Sequence, residues 1–165
     1  MTLRAVARQV GIAAPSIYGH FANRDEILLA VIADAFAELD STLVQALEAQ
    51  DDKLRAVCAA YLEFARSRPH RYRVMFGRHR SDPGGNVNQQ RPDTDSLVGS
   101  DAFGRLMEAV ARGAAHVPAE DLMPTATSVW VALHGYVSLR DSVPAFPWPP
   151  EEEFAERLIT RLTST

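Results

Sequence analysis

Cysteine is nearly absent from this chain of 165 residues, since Cys58 is the only one. A single thiol forms no internal disulfide, and metal sites built from cysteine pairs are excluded with it. A reducing, cytosolic setting fits this usage best. Long apolar runs are also lacking: no stretch approaches the ~18 uninterrupted apolar residues of a membrane span, and no apolar signal core follows Met1. We therefore expect a cytoplasmic protein that is neither exported nor embedded in a membrane.

Signatures of catalysis are lacking as well. The pair Gly84-Gly85 has no lysine after it, so it is not a phosphate-binding loop, and no His-Glu-x-x-His pattern is present to hold zinc. Cys58 falls within an apolar helical stripe, without the exposure and the basic partner that a nucleophilic cysteine requires. The sequence predicts no catalytic residue, no metal site and no cofactor, and therefore no enzyme.

Basic residues are fewer than acidic residues in the whole chain, yet they outnumber the acidic residues near its start. The net charge of −4 argues at first sight against a nucleic-acid partner, because phosphate binding depends on lysine and arginine. Residues 1–24 nevertheless contain Arg4, Arg8 and Arg24 and no carboxylate, so they carry +3 while residues 25–165 carry −7. The acidic balance therefore describes the larger part of the chain only.

Strand signals are nearly absent, because apolar residues recur at intervals of three and four rather than alternating. The sequence predicts an all-α fold, in which a helix-turn-helix segment is followed by a helical bundle. Thr2 and Asn23 are suitable N-caps, and Pro69 stops a helix that opens at Asp51-Asp52. Beyond the first two short helices, the expected elements are a long helix after Asn23, a helix from about 52 to 68, a short helix through 72–76, a loop over 78–100, helices at about 101–115 and 119–140, a proline-rich turn at 144–150 and a last helix through 154–162.

The first two short helices are joined by Gly11-Ile12-Ala13. Glycine permits the tight turn and Ile12 holds the helices at their angle, which is the form of a helix-turn-helix whose second helix enters the major groove. The run Ile17-Tyr18-Gly19-His20-Phe21 and a basic residue at Arg24 complete the pattern. Over residues 2–28 the chain resembles the DNA-binding segment of TetR-type transcriptional repressors. The spacing Trp130-x3-His134-Gly135 similarly resembles a signature of one subgroup of TetR C-terminal domains.

The resemblance implies that the second helix and its flanks contact a double-stranded DNA operator. Tyr18 can donate its hydroxyl to a phosphate, and Arg24 lies where a helix N-terminus already attracts an anion. Arg4 is the best candidate for a bidentate contact to guanine. The alternative for Tyr18 and His20 is packing against the third helix, and for Arg4 a solvated face. The predicted DNA-binding residues are Thr2, Arg4, Ala14, Pro15, Ser16, Tyr18, Gly19, His20 and Arg24.

Apolar stripes on six successive helices can form a bundle with an internal pocket, which suits a small, mostly hydrophobic ligand. The resemblance implies that this domain binds an inducer and that the last two helices of each subunit pair to form a homodimer. Residues 129–139 carry apolar groups on nearly every face, as expected of a helix covered by its own core and by a partner; a core-only role is the alternative. A satisfied core histidine is the alternative for His134. The predicted pocket residues are Tyr61, Phe64, Met75, Phe76, Trp130 and His134.

Residues 66–80 carry six arginines, two histidines and no acidic residue. We expect them to face the acidic long helix or solvent rather than to form a second nucleic-acid site. The predicted domains are an incomplete helix-turn-helix DNA-binding domain at 1–30 and a helical ligand-binding and dimerisation domain at 31–165. TetR members carry a helix ahead of the segment that begins at Thr2, so we expect a start that was placed too late or trimmed; a short natural protein is the alternative.

The function expected from the resemblance is that of a ligand-responsive, dimeric TetR-type repressor. Its two recognition helices would occupy successive major grooves about 34–36 Å apart, and a small molecule in the larger domain would shift that spacing and release the operator. The alternative is a truncated dimerisation or ligand-sequestering module that does not bind DNA itself.

Overall fold

The computed structural model describes residues 8, 9, 11, 13, 20, 21, 23–77, 98–114 and 116–163. Within these described residues, the chain forms six α-helices and no strand, which confirms the all-α prediction. A 3₁₀ turn at Ala119–Asp121 leads into the fifth helix. The helices are α1 (Arg24–Ala49), α2 (Lys53–Ser67), α3 (Pro69–Phe76), α4 (Ser100–Gly113), α5 (Leu122–Ser142) and α6 (Glu151–Thr163).

Local capping places the starts of α1 and α2 where the sequence predicts them. The Asn23 side chain accepts a hydrogen bond from the backbone N–H of Glu26 at 3.0 Å, and Asp52 accepts one from the N–H of Arg55 at 3.1 Å. Each carboxylate or amide oxygen thereby satisfies one of the N–H groups that a helix leaves unpaired at its start. Pro69 ends α2 and also opens α3, where its missing N–H costs nothing.

The core lies between α1, α2 and α4, which all pack against one another. α5 packs mainly on α4, and α6 packs mainly on α2. Buried positions recur at every fourth residue in α1, so one face of this long helix is committed to the core. The largest fully buried side chains are Phe64, Leu39, Leu43, Leu54, Leu133, Val57, Val110, Val129 and Cys58.

Helix α5 carries apolar side chains on two opposite faces, as the sequence predicts. Val129 and Leu133 are fully buried, whereas Val131 is 61% exposed and Leu139 is 52% exposed. The inner face therefore belongs to the core, and the outer face is apolar and uncovered. Across the described ranges, no helix combines the length and the apolar character that crossing a lipid bilayer requires.

Candidate functional site

The turn of the predicted helix-turn-helix is described at Gly11. Arg8 and Gln9 are helical, and the N–H of Gly11 bonds back to the carbonyl of Arg8 at 3.4 Å. Gly11 has a φ of 73°, a left-handed conformation that favours glycine at the end of a helix. This confirms the predicted role of Gly11. The predicted DNA contacts at Thr2, Arg4, Ala14, Pro15, Ser16, Tyr18 and Gly19 lie outside the described residues.

Two predicted DNA contacts, His20 and Arg24, are described, and both side chains are exposed. Arg24 is the first residue of α1, directly after the capping residue Asn23, so its guanidinium extends from the positive end of the helix. α1 then continues without a break to Ala49. Any displacement of the body of α1 is therefore transmitted to the position of Arg24.

A cluster of aromatic rings joins α2, α3 and α5. Phe76 lies at its centre, with ring centroids 4.5 Å from His134, 4.9 Å from Tyr72 and 6.2 Å from Trp130. Tyr61 meets Tyr72 edge to face at 5.9 Å. Such tilted and edge-on contacts are the favoured arrangements of aromatic pairs, and they fix α3 against α5.

A chain of side-chain hydrogen bonds runs through this cluster from α2 to α5. The hydroxyls of Tyr61 and Tyr72 are 2.9 Å apart, and the Tyr72 hydroxyl is 2.8 Å from Nδ1 of His134. Nε2 of His134 is in turn 3.2 Å from Oγ of Ser138, one helical turn further along. Four side chains from three helices are thus joined in one polar network.

Burial sets the protonation of these groups. Desolvation raises the pKa of Tyr61 to about 12, although the interactions of its hydroxyl with Tyr72 and Trp130 oppose the rise. Desolvation also raises the pKa of Tyr72, and it lowers the pKa of His134. Both tyrosines are therefore neutral at pH 7, and the imidazole of His134 is held in its neutral form, with one donor and one acceptor nitrogen.

A cleft opens beside His134 between α2 and α3 on one side and α5 and the start of α6 on the other. Its volume is about 560 Å³, which lies within the range of about 300–1,000 Å³ typical of small-molecule pockets. Its floor is mostly apolar and its rim is charged. The apolar lining comprises Leu62, Ala65, Pro69, Phe76 and Val137, and the polar lining comprises Arg66, Tyr72, Arg73, His134, Tyr136, Ser138, Arg140, Asp141, Ser142 and Glu151.

The charged groups of the rim are paired with one another or with a close neighbour. Arg73 and Asp141 lie 3.0 Å apart, and Arg140 and Glu151 lie 3.1 Å apart. Arg66 pairs with Glu63 within α2. Among the described residues, every arginine that lines the cleft therefore has a carboxylate partner.

Comparison with known proteins agrees with this architecture. Residues 54–162 match the model of the tetracyclin repressor-like C-terminal domain, and residues 1–31 match that of bacterial regulatory proteins of the tetR family. The chain belongs to the TetR family. HTH-type transcriptional regulators Mb1846 of Mycobacterium bovis and Rv1816 of Mycobacterium tuberculosis are each 28% identical to it over 120 residues, or 70% of this chain and 49% of each relative. This chain thus spans about half the length of those relatives.

Solved structures share the TetR fold seen here. The crystal structure of SCO4313 superposes with a TM-score of 0.75 at 24% identity, covering 99% of this chain and 85% of that one. A protein of unknown function from Rhodococcus sp. RHA1 gives a TM-score of 0.72 at 19% identity, over 99% of this chain and 86% of that one. At these identities the likeness concerns the fold.

The six side chains predicted to form the TetR ligand pocket occupy different layers around the cleft. Phe76 and His134 line it directly. Tyr61 lies one layer deeper and reaches the wall through the Tyr72 hydroxyl. Phe64 and Met75 are buried in the core, and Trp130 is 36% exposed at the edge of the ring cluster. Direct ligand contact by any of the six stays a prediction.

Ser138 and Tyr136 line the cleft although they were not predicted as pocket residues. The four-residue spacing from Trp130 through His134 to Ser138 was the available signal, because residues four apart share one face of a helix. Tyr136 packs against Phe154 with ring centroids 4.2 Å apart and donates to the carbonyl of Pro149. It therefore fixes the start of α6 against the cleft, a contact that no sequence spacing indicates.

Two arginines of the basic segment 66–80, Arg68 and Arg71, face the acidic α1 as predicted, whereas Arg73 pairs with Asp141 of α5 and residues 78–80 lie outside the described residues. Arg71 bonds to Asp34 at 2.6 Å and lies 3.1 Å from Glu38, which also pairs with Arg68. These ion pairs tie the helix that carries Tyr72 and Phe76 to the helix that begins at the DNA-binding segment. In the described ranges, no three His, Cys, Asp or Glu side chains are grouped so as to hold a metal ion.

Proposed function

We propose that this TetR protein is a dimeric transcriptional repressor that binds double-stranded operator DNA through residues 1–30. Residues 31–165 would bind a small, mostly hydrophobic molecule in the cleft and form the homodimer, in a cytoplasmic setting. The single observation that carries the proposal is the path from cleft to DNA segment. On one side of α3, Phe76 lines the cleft, and on the other side Arg71 pairs with Asp34 of α1. Helix α1 then runs back to Arg24 without interruption.

The proposed mechanism of release is a shift of α1. A ligand that enters the cleft acts on α3, and α3 moves α1 through the ion pairs at Arg68 and Arg71. Because Arg24 and the recognition helix are attached to the start of α1, the spacing of the two recognition helices changes. Operator half-sites lie about 34–36 Å apart, so a small rotation at each α1 is sufficient to break the match.

The dimer is proposed to form through α5 and α6. Met123, Val131 and Leu139 are all more than half exposed and lie around the outer side of α5, away from the buried Val129 and Leu133. A second copy of the chain that packs its own α5 and α6 against this outer side would bury these apolar groups. Homodimer interfaces are distinguished by such apolar centres.

The test of DNA binding uses fluorescence anisotropy with labelled promoter DNA from upstream of the protein's own gene. Replacing Tyr18 and Arg24 by alanine is expected to abolish DNA binding while sedimentation shows an intact dimer. Arg112→Ala, which removes an exposed arginine of α4, is the matched control and is expected to bind as the unaltered chain does. Full DNA binding by the Tyr18 and Arg24 variants, or loss of the dimer with them, would count against the assigned roles. A ligand-binding dimer that binds no DNA would establish the ligand-sequestering module instead.

A further inference from the structure

The hydrogen-bond chain from Tyr61 to Ser138 has a direction, and burial determines it. A neutral imidazole donates through one nitrogen and accepts through the other, so the hydrogens of the whole chain point one way or the opposite way. If Ser138 donated to His134, the last hydrogen in the chain would belong to the Tyr61 hydroxyl. Tyr61 is only 4% exposed, and among the described residues that hydrogen would have no acceptor. Buried hydroxyl donors are rarely left unpaired.

The opposite direction pairs every buried hydrogen. Tyr61 then donates to Tyr72, Tyr72 donates to Nδ1 of His134, and Nε2–H of His134 donates to Oγ of Ser138. The one hydrogen left over is that of the Ser138 hydroxyl, which lies in the wall of the cleft.

The Ser138 hydroxyl differs from three other hydroxyls along α5. Thr127, Ser128 and Ser142 each donate to the backbone carbonyl four residues earlier, at 2.7–2.9 Å. Within the part of the chain that the structure describes, Ser138 bonds instead to the ring of His134. Its hydroxyl hydrogen is therefore available to a molecule in the cleft, whereas that of Ser142, on the same wall, is already used.

The other described residues that line the cleft offer apolar surface and no unpaired charge. Leu62, Phe76 and Val137 contribute to the apolar lining. The guanidinium groups of Arg73 and Arg140 are paired with Asp141 and Glu151, so an anionic ligand would have to displace an existing carboxylate. A charged ligand would lose its hydration without gaining a free counterion from these described residues.

We propose that the cleft binds an uncharged, largely apolar molecule that accepts a hydrogen bond from the Ser138 hydroxyl, as the oxygen of a ketone, ester or amide does. The proposal rests on the proposed function, which makes this cleft the ligand site. A pure hydrocarbon of the same shape binds less tightly, because it displaces water from Ser138 without replacing its hydrogen bond.

The test compares matched probes on the full chain by ligand-observed NMR titration. Benzophenone, diphenylmethane and diphenylacetate share one apolar body and differ in carrying a ketone, no acceptor or a carboxylate; 2-nonanone and nonanoate repeat the comparison on an alkyl body. We expect each ketone to bind about 3- to 10-fold more tightly than its matched probes. This fold-change in affinity corresponds to the net free energy of one neutral hydrogen bond. Equal or tighter binding of the carboxylate or hydrocarbon, or no binding by any probe, overturns the proposal.

Two serine variants assign the ketone's advantage to a single hydroxyl. Ser138→Ala is expected to remove the preference for benzophenone over diphenylmethane, and alanine at this helical position preserves the fold. Ser142→Ala is the matched control, since its hydroxyl is bonded to the backbone of Ser138, and the preference is expected to remain. A preference that survives Ser138→Ala overturns the proposal.

The direction of the hydrogen-bond chain is tested without a ligand. Long-range ¹⁵N–¹H correlation spectra of the unaltered protein report which nitrogen of His134 carries the proton. The proton is expected on Nε2, with Nδ1 bare; a proton on Nδ1 overturns the assignment of the free hydrogen to Ser138.

The outcome for the ligand class is separable from the outcome for the proposed function. Ketone binding that depends on Ser138 supports the ligand class whether or not promoter DNA is released. If the ketone binds through Ser138 and DNA affinity does not change, the ligand class stands and the repressor mechanism fails. If another compound class releases DNA and the ketones do not bind, the mechanism stands and the ligand class fails.

Discussion

The ring of Phe36 lies directly against Gly99, so closely that a methyl group added to Gly99 would come within 2.7 Å of Cε1 of Phe36. Phe36 belongs to α1, and Gly99 is the residue that precedes α4. Phe36 also meets Phe76 of α3 edge to face, with centroids 5.6 Å apart. One aromatic side chain of α1 therefore touches both the entry to α4 and the helix that lines the cleft.

Gly99→Ala is expected to destabilise the fold for two reasons. Gly99 has a φ of 96°, which is unfavourable for any residue with a side chain, and the added methyl group meets the Phe36 ring. Together these lower the free energy of unfolding by about 1–3 kcal/mol, as measured by urea denaturation. Gly104→Ala is the control, because a methyl group there meets nothing within 4 Å and alanine favours the helix by up to about 1 kcal/mol. Equal effects of the two substitutions would contradict this account.

Loss of the ion pair between Asp34 and Arg71 is expected to loosen α3 from α1 in a salt-dependent way. Both side chains are substantially exposed, so the pair contributes little to global stability and less at high salt. Amide hydrogen exchange should nevertheless speed up in α3 of an Arg71→Gln variant at low salt. Arg66→Gln removes a pair that lies within α2 and should leave α3 exchange unchanged. Unchanged exchange in both variants would remove this pair from the proposed path to the DNA segment.

Val131→Glu is expected to dissociate the proposed dimer without unfolding the protomer. Val131 is 61% exposed, so a monomer tolerates the charge, whereas a second copy packed on α5 does not. Val31→Glu places the same change at a 43% exposed valine of α1, away from α5 and α6, and serves as the control. Sedimentation velocity should show monomers for Val131→Glu only. A dimeric Val131→Glu variant would place the interface elsewhere.

Stability should fall in mildly acidic solution because of His134. Burial lowers the pKa of His134 below its ordinary value of 6.5, so the unfolded chain takes up this proton at a higher pH than the folded chain does. The contribution of the neutral His134 ring to the free energy of unfolding is fully present above pH 6.5 and is lost as the pH falls towards the folded-state pKa. Urea denaturation between pH 8 and pH 5 should show a shallower decline for His134→Gln than for the unaltered protein. A His134→Gln variant that keeps the original decline would refute the explanation.

The thiol of Cys58 should be inert in the folded protein. It is fully buried in α2, and desolvation raises its pKa to about 12, so thiolate is scarce and inaccessible at pH 8. A chromogenic disulfide reagent should label it slowly before denaturation and with one equivalent afterwards. A Cys58→Ala, Ala59→Cys double variant moves the thiol to the exposed side of the helix and should react quickly when folded. Rapid labelling of the native Cys58 would contradict the packing described.

The helices were predictable from the sequence because their ends are determined locally. Asn23 and Asp52 cap α1 and α2 with their own side chains, and Pro69 separates α2 from α3 by its backbone chemistry alone. The pairing of the basic α3 with the acidic α1 was also predictable, since charge composition alone favours it.

The cleft was less predictable because its walls come from helices far apart in the chain. The four-residue spacing places Trp130, His134 and Ser138 on one face of α5 but does not say what faces them. Only the packing of α3 brings the Tyr72 hydroxyl to His134. Phe64 and Met75 are large apolar side chains of the kind that line pockets, yet the close packing of α2 and α3 leaves them in the core.

Helix α5 presents His134 and Ser138 to the cleft and Val131 and Leu139 to the opposite side. In the proposed function, the ligand and the second protomer therefore contact opposite faces of one helix, and any coupling between the two binding events is reciprocal. A ligand that strengthens association must itself bind more tightly as protein concentration rises, and one that weakens association must bind less tightly. Affinities of the proposed ligand measured on dilute and on concentrated protein would then differ through mass action alone, with no change in any contact within the cleft.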